Sequence, residues 1–242
     1  MLRSSVAFMP SIASPGGSEY QVAMTLVIIP ARLKSARLDN KPMQLIGGEP
    51  LIVHCWRRAV EADIGPVWVA ADAAVIVEAI DRQGGKAVLT GEADCGSDRV
   101  AIAAAMVDPG RAHGIVINQQ GDMPFLDAVH LQSFAQGLDM LSAMATAYCD
   151  LGVVRIADGD FHRETVRSHI GLYAFTRDAL EQFRQWGPSD RERVEKLEQL
   201  RVVGRLDIRF IALPSMPMEV NTPDDLALAN SILAAVGACS IR

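Results

Sequence analysis

Residues 26–42 have the sequence LVIIPARLKSARLDNKP, an apolar run that changes abruptly into a basic one. Val27, Ile28 and Ile29 predict a strand buried on both faces, as in a parallel sheet. After Pro30, four cations follow within ten residues, at Arg32, Lys34, Arg37 and Lys41. Ligands of open α/β sheets bind beyond the carboxyl ends of the strands. The stretch therefore predicts a polyphosphate site, although a solvated basic loop would carry the same charge.

The composition limits the class of protein. The chain has 242 residues, 50% of them hydrophobic, which suffices for one large core or for a main domain with a small excursion. A formal net charge of -6 argues against general nucleic-acid binding. The cations of residues 32–41 are more informative against this background, because acidic residues outnumber basic ones in the chain as a whole.

The sequence also bears on the cell compartment. Four cysteines are scattered without C-x-x-C spacing, which argues against a zinc knuckle or a disulfide framework and indicates reduced thiols in a cytoplasm. No apolar run approaches the length of a membrane span, and the apolar patch at residues 6–9 is too short for a secretory signal. We expect a cytoplasmic protein without membrane contact. Residues 1–23 are expected to be a flexible N-terminal extension, and Met24 could serve as a second start.

Strand and helix patterns alternate in the first half of the chain. Strands are predicted at about residues 25–29, 67–70, 86–90 and 114–118, and helices at about residues 51–62, 75–82, 97–107 and 128–136. Ser97 and Asp98 are expected to cap the third helix. The βαβα rhythm predicts a doubly wound, three-layer α/β/α fold with a mostly parallel sheet, whose polar turns gather along one edge.

The second half has a looser pattern. Strands are predicted at about residues 142–150, 170–175 and 208–213, and helices at about residues 177–185 and 190–201. Thr222 is expected to cap a last helix that begins with Pro223 and two acids. Residues 151–166 are polar and give no clear pattern.

Two common phosphate-binding motifs are absent from the sequence. G-x-x-x-x-G-K-[ST] does not occur, and no G-x-G-x-x-G follows the first predicted strand. A nucleotide would therefore have to be held by side-chain cations and turn amides.

The pattern I-P-A-R-x-x-S-x-R-L-x-x-K-P at residues 29–42 resembles the start of the 3-deoxy-manno-octulosonate cytidylyltransferases, also called CMP-KDO synthetases. The resemblance implies a nucleotide-diphospho-sugar transferase-like (Rossmann-like) fold and a loop that wraps the triphosphate of CTP. It also implies that Arg32 and Lys41 contact the phosphates and act in catalysis, whereas Arg37 braces the loop.

Three later turns resemble the same family in order. Residues 70–72 resemble A-T-D, residues 95–99 resemble S-G-T-[DE]-R, which helps hold cytosine and ribose, and residues 120–124 resemble Q-G-D-E-P. The aspartate of the last motif, here Asp122, binds the catalytic Mg²⁺ in the family; a lone carboxylate there could otherwise cap a helix. The motifs depart at Ala71, Cys95, Ser97 and Met123. The implied nucleotide-binding residues are Pro30, Ala31, Arg32, Ser35, Lys41, Ala71, Asp72, Gly96, Ser97, Arg99 and Gln120.

Two segments of the second half resemble the family's acceptor site. Residues 169–173 resemble H-x-G-I-Y, and residues 189–201 resemble S-P-L-E-x-x-E-x-L-E-Q-L-R. The resemblance implies that the sugar acid is faced by His169, Tyr173, Glu198 and Gln199. Without it, His169 would be a satisfied histidine beside a strand, and residues 190–201 would be a solvated helix with pairs such as Glu192–Lys196.

The resemblance is weaker at two places. Residues 220–226 resemble V-D-T-P-E-D-L, but the family's second Mg²⁺-binding aspartate falls at Asn221, whose amide can coordinate a metal without bringing charge. Between about residues 150 and 166 the family has a longer stretch, which carries an arginine for the sugar acid and helps build the dimer. The resemblance covers about residues 25–149 and 167–236.

A single nucleotidyltransferase domain is thus expected over residues 24–242, with a CTP-binding half (24–140) and an acceptor-binding, closing half (141–242). The implied activity is Mg²⁺-dependent transfer of CMP from CTP to an acid resembling 3-deoxy-manno-octulosonate, with release of pyrophosphate, in lipopolysaccharide biosynthesis. A homodimer is possible on the same resemblance. Three alternatives stay open: a smaller acidic acceptor such as a phosphonate, another nucleotide used with a sugar phosphate, and a nucleotide-binding homologue with little turnover.

Overall fold

The computed structural model describes residues 25–138, 142–153 and 165–239. Its strands are β1 (Thr25–Ala31), β2 (Leu45–Ile46), β3 (Glu49–Pro50), β4 (Val67–Ala71), β5 (Ala87–Leu89), β6 (Ile115–Gln119), β7 (Met144–Val153), β8 (Thr165–Thr176) and β9 (Ile208–Ala212). Its helices are α1 (Leu51–Glu61), α2 (Ala74–Asp81), α3 (Gly96–Val107), α4 (Ala128–Gln136), α5 (Arg177–Trp186), α6 (Asp190–Glu195) and α7 (Pro223–Cys239). Short 3₁₀ turns cover Lys41–Met43 and Glu198–Arg201.

Seven of these strands form one sheet in the order β5-β4-β1-β6-β8-β7-β9. Strands β1, β4, β5 and β6 pair in parallel, and so do β7 and β9. Strand β8 is antiparallel to both of its neighbours, β6 and β7. The prediction of a mostly parallel sheet in an α/β fold is confirmed.

Helices cover both faces of the sheet. The apolar side chains of β1 alternate between the two faces, and each face is therefore buried against helices. Val27 and Ile29 belong to a core that includes residues of α1, α2 and α4. Leu26 and Ile28 belong to the opposite core, which includes residues of α3 and α5. All four side chains are at most 1% exposed. The continuous apolar run of β1 thus belongs to a central strand of a three-layer structure.

A third apolar cluster anchors the basic loop to the last helix. Leu38 of the loop and Leu51 of α1 pack in the same cluster as Val220 and Ala229. The cluster explains how residues far apart in sequence come to flank the end of β1. Thr222 caps α7 as expected, since its hydroxyl oxygen accepts from the backbone N–H of Asp225 at 3.2 Å.

The prediction of one helix over residues 190–201 is wrong. Helix α6 ends at Glu195, Lys196 adopts a left-handed conformation with φ 57°, and a separate 3₁₀ turn begins at Glu198. The alternative of a solvated helix with a Glu192–Lys196 pair is not found either, because the Glu192 carboxylate bonds to the guanidinium of Arg201. The break lets the chain fold back so that Arg201 reaches that buried carboxylate.

Some predictions fall on residues outside the described ranges. They include the N-terminal extension at residues 1–23, the second start at Met24 and most of the shortened segment, residues 154–164. Among the helices that the structure describes, none has both the length and the apolar character needed to cross a bilayer.

Candidate active site

The candidate site lies at the carboxyl ends of β1, β4 and β6. Pro30 and Ala31 close β1, the buried Ala71 closes β4, and Gly121 lies just after β6. A Cβ at Gly121 would lie 2.9 Å from the carbonyl oxygen of Pro30. Only glycine therefore allows the turn to approach β1 so closely, and this approach brings Asp122 towards the basic loop.

Asp72 holds the first part of the basic loop. Its two carboxylate oxygens accept from the backbone N–H of Leu33 at 3.0 and 3.3 Å. Its own N–H donates to the carbonyl of Ala31 at 3.2 Å. In this structure Asp72 therefore shapes the loop, and direct contact with a nucleotide stays a prediction.

Lys41 forms the centre of the site. Its ammonium donates to Asp122 Oδ2 at 2.8 Å and to Asn221 Oδ1 at 2.9 Å. The Lys41 and Asp122 side chains are each only 18% exposed, so water screens this ion pair less than one at the surface. Arg37 Nη2 also donates to Asn221 Oδ1, at 3.0 Å, and thereby ties the loop to the segment before α7.

The oxygens around Lys41 suit a cation, since the ammonium itself occupies the position between Asp122 and Asn221. Mg²⁺ is commonly bound by one or two carboxylates together with substrate phosphates, so this donor set fits Mg²⁺ once a nucleotide is present. Among the described residues, no three His, Cys, Asp or Glu side chains cluster as a complete metal site. Mg²⁺ at Asp122 and Asn221 therefore stays a prediction.

Glu219 is a further carboxylate at this place. It accepts from Asn221 Nδ2 at 3.1 Å. Burial and then the charge of Asp122 raise the pKa of Glu219, while the Asn221 amide and the cations Lys41 and Arg37 oppose the shift. Asp122 and Glu219 thus concentrate negative charge where two cations of the basic loop arrive.

Arg99 lies buried next to the site and stabilises the loop that precedes α3. It is 4% exposed and donates to Thr90 Oγ1 and to the Gly91 carbonyl, each at 2.7 Å. Burial lowers its pKa, Asp72 raises it and Arg32 lowers it, so these three charges influence one another. Arg99 braces the loop before α3, while Arg32 is exposed and Ser35 half-buried in the basic loop.

The amino end of α3 meets the predicted acceptor segment. The Glu198 carboxylate accepts from the N–H and the hydroxyl of Ser97, at 3.1 and 3.0 Å. An anion is favoured there because the first N–H groups of a helix have no partners within the helix and lie at the positive end of its dipole. Gly96 lies beside this contact, with its Cβ position 3.6 Å from Glu198, Gln120 and Pro30. The expected cap at Ser97 and Asp98 is wrong: Cys95 is the cap, because its sulfur accepts from the N–H of Asp98.

A buried arginine joins α3 to residues 189–201, the segment predicted to face the acceptor. The Arg201 side chain is 0% exposed and forms ion pairs with Asp98 at 2.8 Å and Glu192 at 2.7 Å. Its guanidinium also lies 4.0 Å from the ring centroid of Phe183. Two opposite charges and an aromatic face compensate the desolvation of Arg201.

The remaining predicted acceptor residues lie on the next strand and turn. The Tyr173 hydroxyl donates to Gln199 Oε1 at 3.4 Å, and burial followed by the charge of Glu198 raises the pKa of Tyr173. His169 keeps an exposed side, but its ring stacks on Tyr173 and bonds Thr146, and partial burial lowers its pKa. Tyr173, Gln199 and Glu198 therefore form one group with Ser97, whereas His169 reaches it through the Tyr173 ring.

Comparison with known proteins gives consistent matches. The cytidylyltransferase family matches residues 26–156. A 3-deoxy-manno-octulosonate cytidylyltransferase of Methylobacterium sp. (strain 4-46) is 40% identical, with 87% of this chain and 97% of the relative covered. That of Mesorhizobium japonicum is 36% identical, with 87% and 99% covered. The chain belongs to the 3-deoxy-manno-octulosonate cytidylyltransferase family.

Solved structures agree with this family. CMP:2-keto-3-deoxy-manno-octonic acid synthetase in complex with CTP superposes with a TM-score of 0.78 at 29% identity, over 87% of this chain and 98% of that one. The 4-diphosphocytidyl-2C-methyl-D-erythritol synthase of Anaerococcus prevotii has a TM-score of 0.65 at 12% identity, over 88% and 99%, which shows a common fold. The alignment with the Methylobacterium sp. relative runs over 241 positions yet covers only 87% of this 242-residue chain. That relative therefore has residues that this chain lacks.

Several functional candidates of this cytidylyltransferase were missed from the sequence. Glu219 gave no signal beyond its place two residues before Asn221. Asn118 did give one, a polar residue inside an apolar strand, and it proves fully buried with its amide donating to Ser97 Oγ at 3.1 Å. Arg201 lies in the S-P-L-E-x-x-E-x-L-E-Q-L-R pattern, but its burial depends on Asp98 and Glu192 from two other elements.

Proposed function

We propose that this chain is a Mg²⁺-dependent cytidylyltransferase that transfers CMP from CTP to 3-deoxy-manno-octulosonate and releases pyrophosphate. The observation that carries the proposal is the meeting of Lys41, Asp122 and Asn221 at the carboxyl ends of β1 and β6. It combines cations for a triphosphate with oxygens for a metal. The CTP in the similar synthetase structure and the names of the relatives support the choice of substrates.

In this reaction an acceptor oxygen attacks the α-phosphorus of CTP, and the bond to the β-phosphate breaks. The protein has to align the two reactants and offset the charge of the leaving pyrophosphate. The positive charges of Arg32 and Lys41, both in the basic loop, would offset the charge of the pyrophosphate. Asp72 keeps this loop in its conformation. Asp122 and Asn221 would hold Mg²⁺, which polarises the α-phosphate when bound.

The acceptor would lie against the group around Glu198. Tyr173 and Gln199 are joined by a hydrogen bond, and Glu198 adjoins Ser97 of the nucleotide half. The proposal is supported by this contact, because hydrogen-bonding groups that a sugar acid could use lie directly beside the predicted nucleotide residues. His169, which stacks on Tyr173, completes this wall.

Two further properties belong to the proposal. A cytoplasmic location is supported by the free thiols of Cys55, Cys95 and Cys149 and by the CTP substrate. A homodimer is proposed from the family resemblance, and sedimentation of the purified chain would decide it.

The test is a panel of acceptors with CTP and Mg²⁺, read out as pyrophosphate release. We expect the fastest release with 3-deoxy-manno-octulosonate, and none when the metal is chelated. Faster release with a small phosphonate would identify that acid as the acceptor, and faster release with UTP or GTP would reject CTP as the donor. Binding of CTP without pyrophosphate release in the presence of any acceptor would identify a nucleotide-binding homologue. The uncharged Asn221 favours this alternative.

A further inference from the structure

The amide of Asn221 is held in one orientation by groups of fixed hydrogen-bonding character. Lys41 and Arg37 can only donate, so the atom that faces both of them, at 2.9 and 3.0 Å, must be the carbonyl oxygen. The amino group of Asn221 then points to Glu219 Oε2 at 3.1 Å. A carboxylate can only accept, so Glu219 selects the same orientation from the other side.

The backbone keeps Glu219 and Asn221 beside Asp122. The N–H of Val220, which lies between them in sequence, donates to the carbonyl of Asp122 at 2.8 Å. The Val220 side chain is fully buried in the cluster that also holds Leu38 of the basic loop. The contacts of Val220 therefore hold Glu219 close to Asp122 and to the basic loop that carries Lys41. The Glu219 residue is half-buried.

We propose that Glu219 is a positioning residue, which turns the Asn221 oxygen towards the cation position beside Asp122 and supplies, one hydrogen bond away, the negative charge that Asn221 lacks. The proposal rests on the proposed function, because the cation would be the Mg²⁺ of that reaction. Substituting a group that orients a metal ligand by a hydrogen bond typically weakens metal binding by about 10- to 100-fold.

The test measures Mn²⁺ affinity in the presence of CTP and without an acceptor, from the electron paramagnetic resonance signal of unbound Mn²⁺. Glu219→Gln should weaken Mn²⁺ binding by about 10- to 100-fold. The matched control is Glu78→Gln, which removes the same charge from an exposed pair with Arg82 on α2 and should leave affinity unchanged.

A double variant shows whether a loss of Mn²⁺ affinity comes from the missing carboxylate or from damage to the fold. In Glu219→Gln with Asn221→Asp, the glutamine amide can donate to the new carboxylate, so the hydrogen bond and the total charge are kept with reversed polarity. We expect this variant to recover wild-type Mn²⁺ affinity.

Two results would overturn the proposal: Mn²⁺ binding by Glu219→Gln at wild-type strength, or loss in that variant with no recovery in the double variant. Failure of the proposed function is recognised in the wild-type chain itself, which would then release no pyrophosphate from CTP with 3-deoxy-manno-octulosonate, or would bind neither CTP nor Mn²⁺. Melting temperatures of all variants show whether a loss reflects unfolding.

Discussion

Lys41 is a single side chain that joins three separate parts of the molecule. It belongs to the basic loop, Asp122 follows β6, and Asn221 precedes α7. The ion pair with Asp122 is mostly shielded from water, so its charge acts strongly at short range. A triphosphate that entered here would meet an ammonium already held by the oxygens of Asp122 and Asn221.

We expect Lys41→Ala to reduce pyrophosphate release by about 100- to 1,000-fold, because in the proposed reaction it removes a charge that stabilises the leaving group. The measurement is turnover with CTP and 3-deoxy-manno-octulosonate at saturating substrate. Lys34→Ala, an exposed cation of the same loop, is the matched control and should keep most of the activity. Near-normal turnover by a folded Lys41→Ala variant would show that the basic loop does not bind the phosphates.

At the scale of elements, Arg201 connects helices that belong to different halves of the chain. It pairs with Asp98 in α3 and with Glu192 in α6. The break after α6 brings the 3₁₀ turn with Arg201 into this position and, in the same turn, brings Glu198 to Ser97. The contact between Ser97, a predicted nucleotide residue, and Glu198, a predicted acceptor residue, thus depends on the buried ion pairs of Arg201.

Arg201→Met should lower the free energy of unfolding by about 3–5 kcal/mol, because Asp98 and Glu192 would remain buried without their cation. Urea denaturation measures the loss. Arg193→Met removes a guanidinium from an exposed pair with Asp190 and should cost at most about 1 kcal/mol. Equal losses in the two variants would contradict the role given to the buried cluster.

At the scale of the whole molecule, Asp108 helps lock the two halves together. Its carboxylate accepts from the N–H groups of Ala112 and His113, at 2.9 and 3.1 Å, and pairs with Arg177 Nη1 at 3.5 Å. Arg177 begins α5, directly after β8, and also donates to the Ala104 carbonyl in α3. Burial would raise the pKa of Asp108, but the donors from Ala112 and His113 outweigh it and lower the pKa.

The lowered pKa predicts how stability depends on pH. Asp108 stabilises the fold fully above its unfolded pKa of about 3.9, and this contribution disappears as the pH falls through the lower folded value. Asp108→Asn should therefore cost about 1.5–3 kcal/mol at neutral pH, and its difference from wild type should shrink in acid.

Urea denaturation between neutral pH and strong acid measures this difference. Asp207→Asn, at an exposed loop position, should show no comparable change with pH. A constant difference between Asp108→Asn and wild type at every pH would mean that the carboxylate charge contributes nothing to folding.

The sequence by itself determined most of the elements and the place of the basic loop proposed to bind phosphates, because hydrophobic periodicity and turn residues are local properties. The run of Val27 to Ile29 predicted a central strand, and the cations after it marked the loop. Residues 190–201 show where prediction from local sequence fails. Their pattern predicts one helix, but the helix ends at Glu195 and Arg201 is buried.

Only the tertiary structure decided which side chains meet. Lys41 is 81 positions from Asp122 and 180 from Asn221, and Glu198 is 101 positions from Ser97. Each contact depends on the order of strands in the sheet and on a close approach such as that of Gly121 to Pro30. The positioning role proposed for Glu219 depends on the tertiary structure in the same way, because a carboxylate can orient Asn221 only when the fold holds both residues beside Asp122.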